Sequence, residues 1–205
     1  MNTIEKISIS LTQFLDFSLK PSGPGKVSSI RKIKYNEYSV EADYWKGLRD
    51  AIPKFHEQGL TFDYLESIAT SANEKRKSRY TDAVNAYKKF LGKKEIQWFD
   101  PGKSFWTFEN LSVKSHAELG LVINEQPHLV KLYFKQDPID KRRSKTALAL
   151  MVASTKSDTN TDAMHSILDV NKNKLYLASE DQDDLDILLA LDGEAAQFIQ
   201  IWNSI

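Results

Sequence analysis

The hydrophobic period changes once along the chain, near Ile96, and this change does most to limit the fold. Before it, apolar residues recur three and four positions apart, as on helices with one buried stripe. After it, alternation at period two takes over, as on strands with unlike faces. Helices, then strands, then helices again describe an α+β fold.

The first half predicts four helices and one ambiguous stretch. Ser10-Leu-Thr-Gln13 is a capping box that opens a helix through Leu11, Phe14, Leu15 and Phe17, closed by the PSGPG segment at 21–25. Residues 26–40 carry mixed signals, leaving a short helix and an extended segment both open. Trp45, Leu48, Ile52 and Phe55 share a helical face that Gly59 ends, with Pro53 either kinking the helix or marking a fresh start. Further helices are expected near 62–72 and 75–91, the latter with Tyr80, Ala83, Val84, Tyr87 and Leu91 inward and Gly92 at its cap.

In the second half, Trp98, Phe99, Phe105, Trp106 and Phe108 crowd around an Asp-Pro-Gly turn. Trp98, Phe99, Trp106 and Phe108 read as core aromatics at strand starts, with an aromatic ligand pocket as the alternative. A three-strand meander is expected at 105–114, 117–124 and 127–135. DKRRSKTALALMVAST follows as a helix with a basic front, because Ala, Leu and Met outnumber β-branched residues. SILDV and KLYLA form a hairpin around Asn171-Lys-Asn173, and residues 183–202 a closing helix. The expectation is one α+β domain over 1–205, with 1–95 a mainly helical lobe and 96–205 a mainly antiparallel sheet, a crossing helix, a closing hairpin and C-terminal helices.

Composition removes several function classes. The 205 residues include no cysteine, which excludes thiolate-ligated zinc, iron–sulfur clusters, thiol catalysis and disulfides. Neither a leader pattern nor a bilayer-length apolar run is present, so the cytoplasm is the expected location, with no membrane partner. A Walker loop, a serine-hydrolase elbow and a dinucleotide-binding glycine motif are absent. The four histidines, at 56, 116, 128 and 165, lack metal-ligand spacing, and no obligatory metal or cofactor is expected. The run Glu180–Asp186 lacks the glycine turn of a calcium loop and reads as acid placed at a helix amino terminus.

One hairpin face collects charge. With Ile123 opposite His128, Leu119, Leu121 and Ile123 share a face with Val130, Leu132 and Phe134. The other face presents His116, Glu118 and Gly120 beside Lys131, Tyr133 and Lys135, with Val122 and Leu129 as apolar exceptions. Two readings follow. In one, Glu118 and Asp169 hold magnesium or manganese while Lys131 stabilises charge on a phosphodiester, so that Glu118, Lys131 and Asp169 are catalytic candidates. In the other, the face is solvated and carries cross-strand Glu–Lys pairs.

The order helix, three-strand meander, helix, strand resembles in outline the core of the PD-(D/E)XK nucleases, whose second and third strands carry an acid and then an acid-x-Lys motif. Glu118 would match the first acid. The third strand, HLVKLYFK, departs from the motif, with no acid two positions before Lys131 or Lys135. The resemblance is one of outline and assigns no family.

Charge is uneven although 28 basic residues balance 28 acidic ones. Residues 73–94 hold Lys75, Arg76, Lys77, Arg79, Lys88, Lys89, Lys93 and Lys94 against Glu74 and Asp82. Lys141, Arg142, Arg143 and Lys145 form a second cluster, and from residue 156 acids dominate. A basic surface made of Lys75, Arg76, Lys77, Arg79, Lys88, Lys89, Lys131, Tyr133, Lys135, Arg142, Arg143 and Lys145 is the candidate nucleic-acid contact, with Tyr80, Tyr87 or Tyr133 to stack on bases. The alternatives are a metal-dependent phosphodiesterase with a degenerate site, and an interaction module or homo-oligomer whose basic and acidic parts complement each other.

Overall fold

The computed structural model describes residues 5–35, 43–137, 139–155, 162–179 and 185–205. The fold is α+β. Strand β1 (Ile7–Ser10) runs into α1 (Leu11–Ser18), and α2 (Pro24–Tyr35), α3 (Lys46–Glu57), α4 (Phe62–Ser71) and α5 (Glu74–Leu91) follow. Five strands come next: β2 (Ile96–Phe99), β3 (Phe105–Phe108), β4 (Leu111–Lys114), β5 (Leu119–Ile123) and β6 (Gln126–Tyr133). Helix α6 (Lys141–Thr155), the hairpin β7 (Met164–Asp169) and β8 (Lys174–Leu177), and α7 (Leu185–Ser204) complete the order. No helix among the described residues is long and apolar enough to cross a membrane.

The helix boundaries have local causes. Ser10 Oγ accepts from the Gln13 N–H at 3.2 Å while Gln13 Oε1 accepts from the Ser10 N–H at 2.9 Å, so the capping box at α1 is complete. Pro24 opens α2, where a missing N–H costs nothing, which resolves residues 24–35 as helix; 36–40 lie outside the described residues. Pro53 falls inside α3 and starts no new helix. Asn73 Oδ1 accepts from the Arg76 N–H at 3.1 Å to cap α5, and Gly92, at φ +51°, ends it. The acidic run at 180–184 and the start of the expected last helix lie outside the described residues, and Asp186 sits in the first turn of α7.

Two mixed sheets form. One has the order β1-β4-β3, with β1 parallel to β4. The other has the order β2-β5-β6-β7-β8 and is antiparallel except where β6 pairs with β7. Two expectations need correction here, and one strand was not foreseen. Residues 105–114 are a hairpin turning at Glu109-Asn110, with Glu109 at φ +49°, and the meander takes β2 as its first strand instead. The ISIS segment before α1 is itself a strand, with Ile7 and Ile9 buried and Ser8 exposed. In the β5–β6 hairpin, Ile123 faces Gln126 and His128 faces Leu121. Asn124 and Glu125 both take positive φ, as a two-residue turn of the I′ kind requires, so pairing starts at once. A shift of two residues leaves each side chain on its expected face.

The five-stranded sheet is covered on both sides. Leu119, Leu121, Ile123, Val130, Leu132 and Phe134 pack with α3, α4 and α5. Leu129 and Ile167 pack on the opposite face with α1, α2, α6, α7 and the smaller sheet. Both cores therefore cut across the sequence division at residue 95. Lys26 of α2 is buried; it pairs with Glu194 of α7, contacts Gln197 Oε1 at 3.0 Å, and lies 4.7 Å from the Phe17 ring centre.

Gly120 marks a close approach of β5 to β2. A Cβ there would lie 2.4 Å from the Phe99 carbonyl oxygen and 2.7 Å from its ring, whereas one at Gly193, within α7, would meet nothing within 4 Å. Gly120→Ala should therefore lower stability by about 1–3 kcal/mol. Gly193→Ala should raise it by about 0.5–1 kcal/mol through helix propensity. Urea titrations of the two variants check both signs.

Candidate nucleic-acid interface

The covered sheet face decides the fate of the strand residues. Lys131 Nζ donates to Glu118 Oε1 at 2.6 Å and to the His116 carbonyl at 2.9 Å. Glu118 Oε2 accepts from the Leu132 N–H at 2.8 Å. The two side chains are only 15% and 17% exposed, so this is a neutralised pair held between layers and offers no free ammonium. Gly120 lies on the same face beneath Phe99.

At the end of β6 a second arrangement repeats the theme. Asp16 of α1 accepts from Lys135 Nζ at 2.7 and 2.8 Å and from Arg143 Nη1 at 2.7 Å. Two cations on one carboxylate leave a local excess of one positive charge, with α1, β6 and α6 clamped around it. Between these elements is a cleft lined by Leu11, Leu15, Lys131, Tyr133, Arg143 and Ala147. Its volume of about 30 Å³ has room for about one water molecule. Tyr133 is half-buried, donates its hydroxyl to the Asp137 carbonyl at 3.0 Å, and has its pKa raised by burial.

Asp169 is fully buried at the end of β7, opposite Tyr133. One carboxylate oxygen accepts from the Ile139 N–H at 3.3 Å and the other from the Lys172 N–H at 3.1 Å. Burial raises its pKa, and these backbone bonds work against the rise. The carboxylate thus ties the segment before α6 and the β7–β8 turn to the sheet. Glu118 and Asp169 are each engaged in such structural bonds, and among the described residues no group of three His, Asp or Glu side chains is placed to share a metal ion.

The basic residues of α5 and α6 lie on opposite sides of the sheet, because α5 belongs to one core and α6 to the other. On α6, Lys141 and Arg142 are exposed while Arg143 and Lys145 are half-buried. On α5, Lys75, Lys77, Arg79, Lys88 and Lys89 are exposed and Arg76 is half-buried. Lys77 lies 4.0 Å from Glu74, and Lys88 3.4 Å from Glu66. Lys75, Arg79, Lys89 and the neighbouring Lys93 form no ion pair among the described residues.

The expected stacking tyrosines are unavailable on this side. Tyr80 and Tyr87 are core residues, 2% and 0% exposed. Tyr87 shares a 2.6 Å hydrogen bond with His56 Nε2. Two residues that sequence reasoning passed over belong to the description instead: Asp16, which gathers the β6 and α6 cations, and Tyr44, which lies against Arg76 and Arg79. The only signal for Tyr44 was its place beside Trp45 before a helix, and Asp16 had none.

Two measurements follow from this geometry. Lys131→Met should cost on the order of 2–3 kcal/mol in urea unfolding by stranding Glu118, and adding Glu118→Gln should recover most of the loss. Burial lowers the pKa of all four histidines, to about 4 for His56. The unfolded chain therefore binds these protons more tightly than the fold does. The His56 contribution is complete above its ordinary value of 6.5 and is lost as pH falls through about 4. Thermal scans should show stability falling across that window, with His56→Gln reducing the fall by on the order of 2 kcal/mol. No protein-family model matches the chain, and no curated protein shows significant similarity to it.

Proposed function

We propose that the protein binds nucleic acid through the solvent side of α5. The observation that carries this reading is the set of exposed cations with no acid partner among the described residues: Lys75, Arg79, Lys89 and Lys93. Three of them, Lys75, Arg79 and Lys89, fall within about 80° of arc on a regular helix, with Asp82 among them. From Lys75 to Lys89 the helix runs about 21 Å, the reach of several backbone phosphates. Lys77 and Lys88 lie together about 100–120° further round the helix, each with a weak, exposed acid contact that a phosphate can displace at little cost.

Lys131, Lys135 and Arg143 have no part in this reading, since Glu118 neutralises Lys131 and Asp16 holds both Lys135 and Arg143 in ion pairs. Lys141 and Arg142 are exposed, but on the far side of the sheet from α5, where only a ligand that wraps around the molecule would reach both. What supports nucleic acid over a small phosphorylated ligand is the linear spread of charge along one helix.

Salt titration tests the proposal. Binding of a fluorescent single-stranded oligonucleotide, followed by anisotropy between about 50 and 200 mM salt, should weaken with a log–log slope of about −3 to −4. The triple variant Lys75→Gln, Lys89→Gln, Lys93→Gln should reduce that slope by about 2. Absence of binding, or binding indifferent to salt, overturns the proposal. So does salt-sensitive self-association in light scattering without uptake of the oligonucleotide, which would assign these cations to contacts between copies of the chain.

A further inference from the structure

Resting on the reading of α5 as the nucleic-acid face, we infer that Tyr44 is the base-stacking position of that face and makes it select single strands. Tyr44 stands just before α3, against the first turns of α5. Its hydroxyl donates to the Lys75 carbonyl at 2.9 Å, and its own carbonyl accepts from the Tyr80 hydroxyl at 2.7 Å. The ring meets Trp45 and Tyr80 edge-on, with centroids 5.0 and 6.1 Å away. Trp45 is stacked in turn on Tyr80 at 5.4 Å and on Phe134, just after β6, at 5.2 Å. Tyr44 is therefore fixed at its backbone, its hydroxyl and its edge, while remaining half-exposed.

The guanidinium carbons of Arg76 and Arg79 lie 5.3 and 5.9 Å from the Tyr44 ring centre. Arg79, which is exposed, presents a planar cation that can stack on a base or fork onto a phosphate. Lys75 and Lys77 stand beside the two arginines on the same turn. A fixed aromatic ring, two guanidinium planes and adjacent ammonium groups are the parts from which single-strand binding surfaces are made. Selectivity follows because bases in a duplex are stacked on one another, so a protein ring reaches a base face only where the strand is unpaired. Among the described residues, Tyr35, Tyr64 and Tyr176 each meet one lysine and no arginine over the ring.

Anisotropy with a labelled single strand of about 12 nucleotides, as DNA and as RNA, and with the matching duplexes, tests the assignment. The wild type should prefer the single strands. Tyr44→Leu should weaken single-strand binding by about fivefold or more, leaving duplex binding and the salt slope unchanged. Tyr44→Phe keeps the ring and should stay within about threefold of wild type, as should Tyr35→Leu, which removes an exposed ring elsewhere. Equal losses on single strand and duplex, no loss with Tyr44→Leu, or the same loss with Tyr44→Phe overturns the inference while leaving α5 as a nucleic-acid face. Should Tyr44→Leu fail to fold, Arg79→Lys keeps the charge without the plane: a loss confined to single strands supports the inference, and no change overturns it. If the wild-type chain binds none of these probes, the reading of α5 itself falls.

Discussion

The parallel pairing of β6 with β7 is the constraint on which the rest of the molecule depends. Parallel neighbours cannot be joined by a tight turn, so α6 has to travel back along the sheet, and in doing so it covers one face. The helices α3, α4 and α5 cover the other. Strand β6 consequently has no wet side: Leu129 is buried among one set of neighbours and Val130 among the other. A charged group on such a strand needs a partner at hand. Lys131 has Glu118 across the hairpin and a carbonyl besides, and Lys135 has Asp16 from the first helix.

Much of this was legible in the residues, and what was not has definite causes. The capping box, the spacing of Tyr80, Ala83, Val84, Tyr87 and Leu91, and the glycine after Leu91 located α1 and α5 because each is a local signal. The two tight turns were harder. Glu109-Asn110 and Asn124-Glu125 contain no glycine, so the first hairpin read as a single strand and the second as two residues longer in its loop. The assignment of faces survived because the shift was even. Val122 and Leu129, the apolar exceptions on the charged face, were the sign that this face is covered. The alternation Ile7, Ile9 is too short to announce a strand without its distant partner.

For the candidate site, the cations could be counted from sequence but their pairing could not. Asp16 stands 119 residues from Lys135 and 127 from Arg143, and only the packing of α1 against β6 and α6 brings them together. Local balance accordingly matters more than the net charge of zero. On α5 the neighbouring helix supplies Glu66 to Lys88 and little else, so the cluster there keeps its charge toward solvent. Tyr80 and Tyr87 went to the core because helical spacing put them on the apolar stripe of α5, while Tyr44, ahead of α3, stays half-exposed.

The smaller sheet has a bearing on how the chain assembles during translation. Ile7 pairs with Leu111 and Ser10 with Lys114, so the strand made first has no partner until about a hundred further residues have left the ribosome. At ordinary elongation rates that wait is on the order of 5–20 s. Through all of it an alternating apolar edge stands open, sheltered only by whatever the nascent helices provide. Among the strands described, the speed of the ribosome and the care of chaperones bear most heavily on β1.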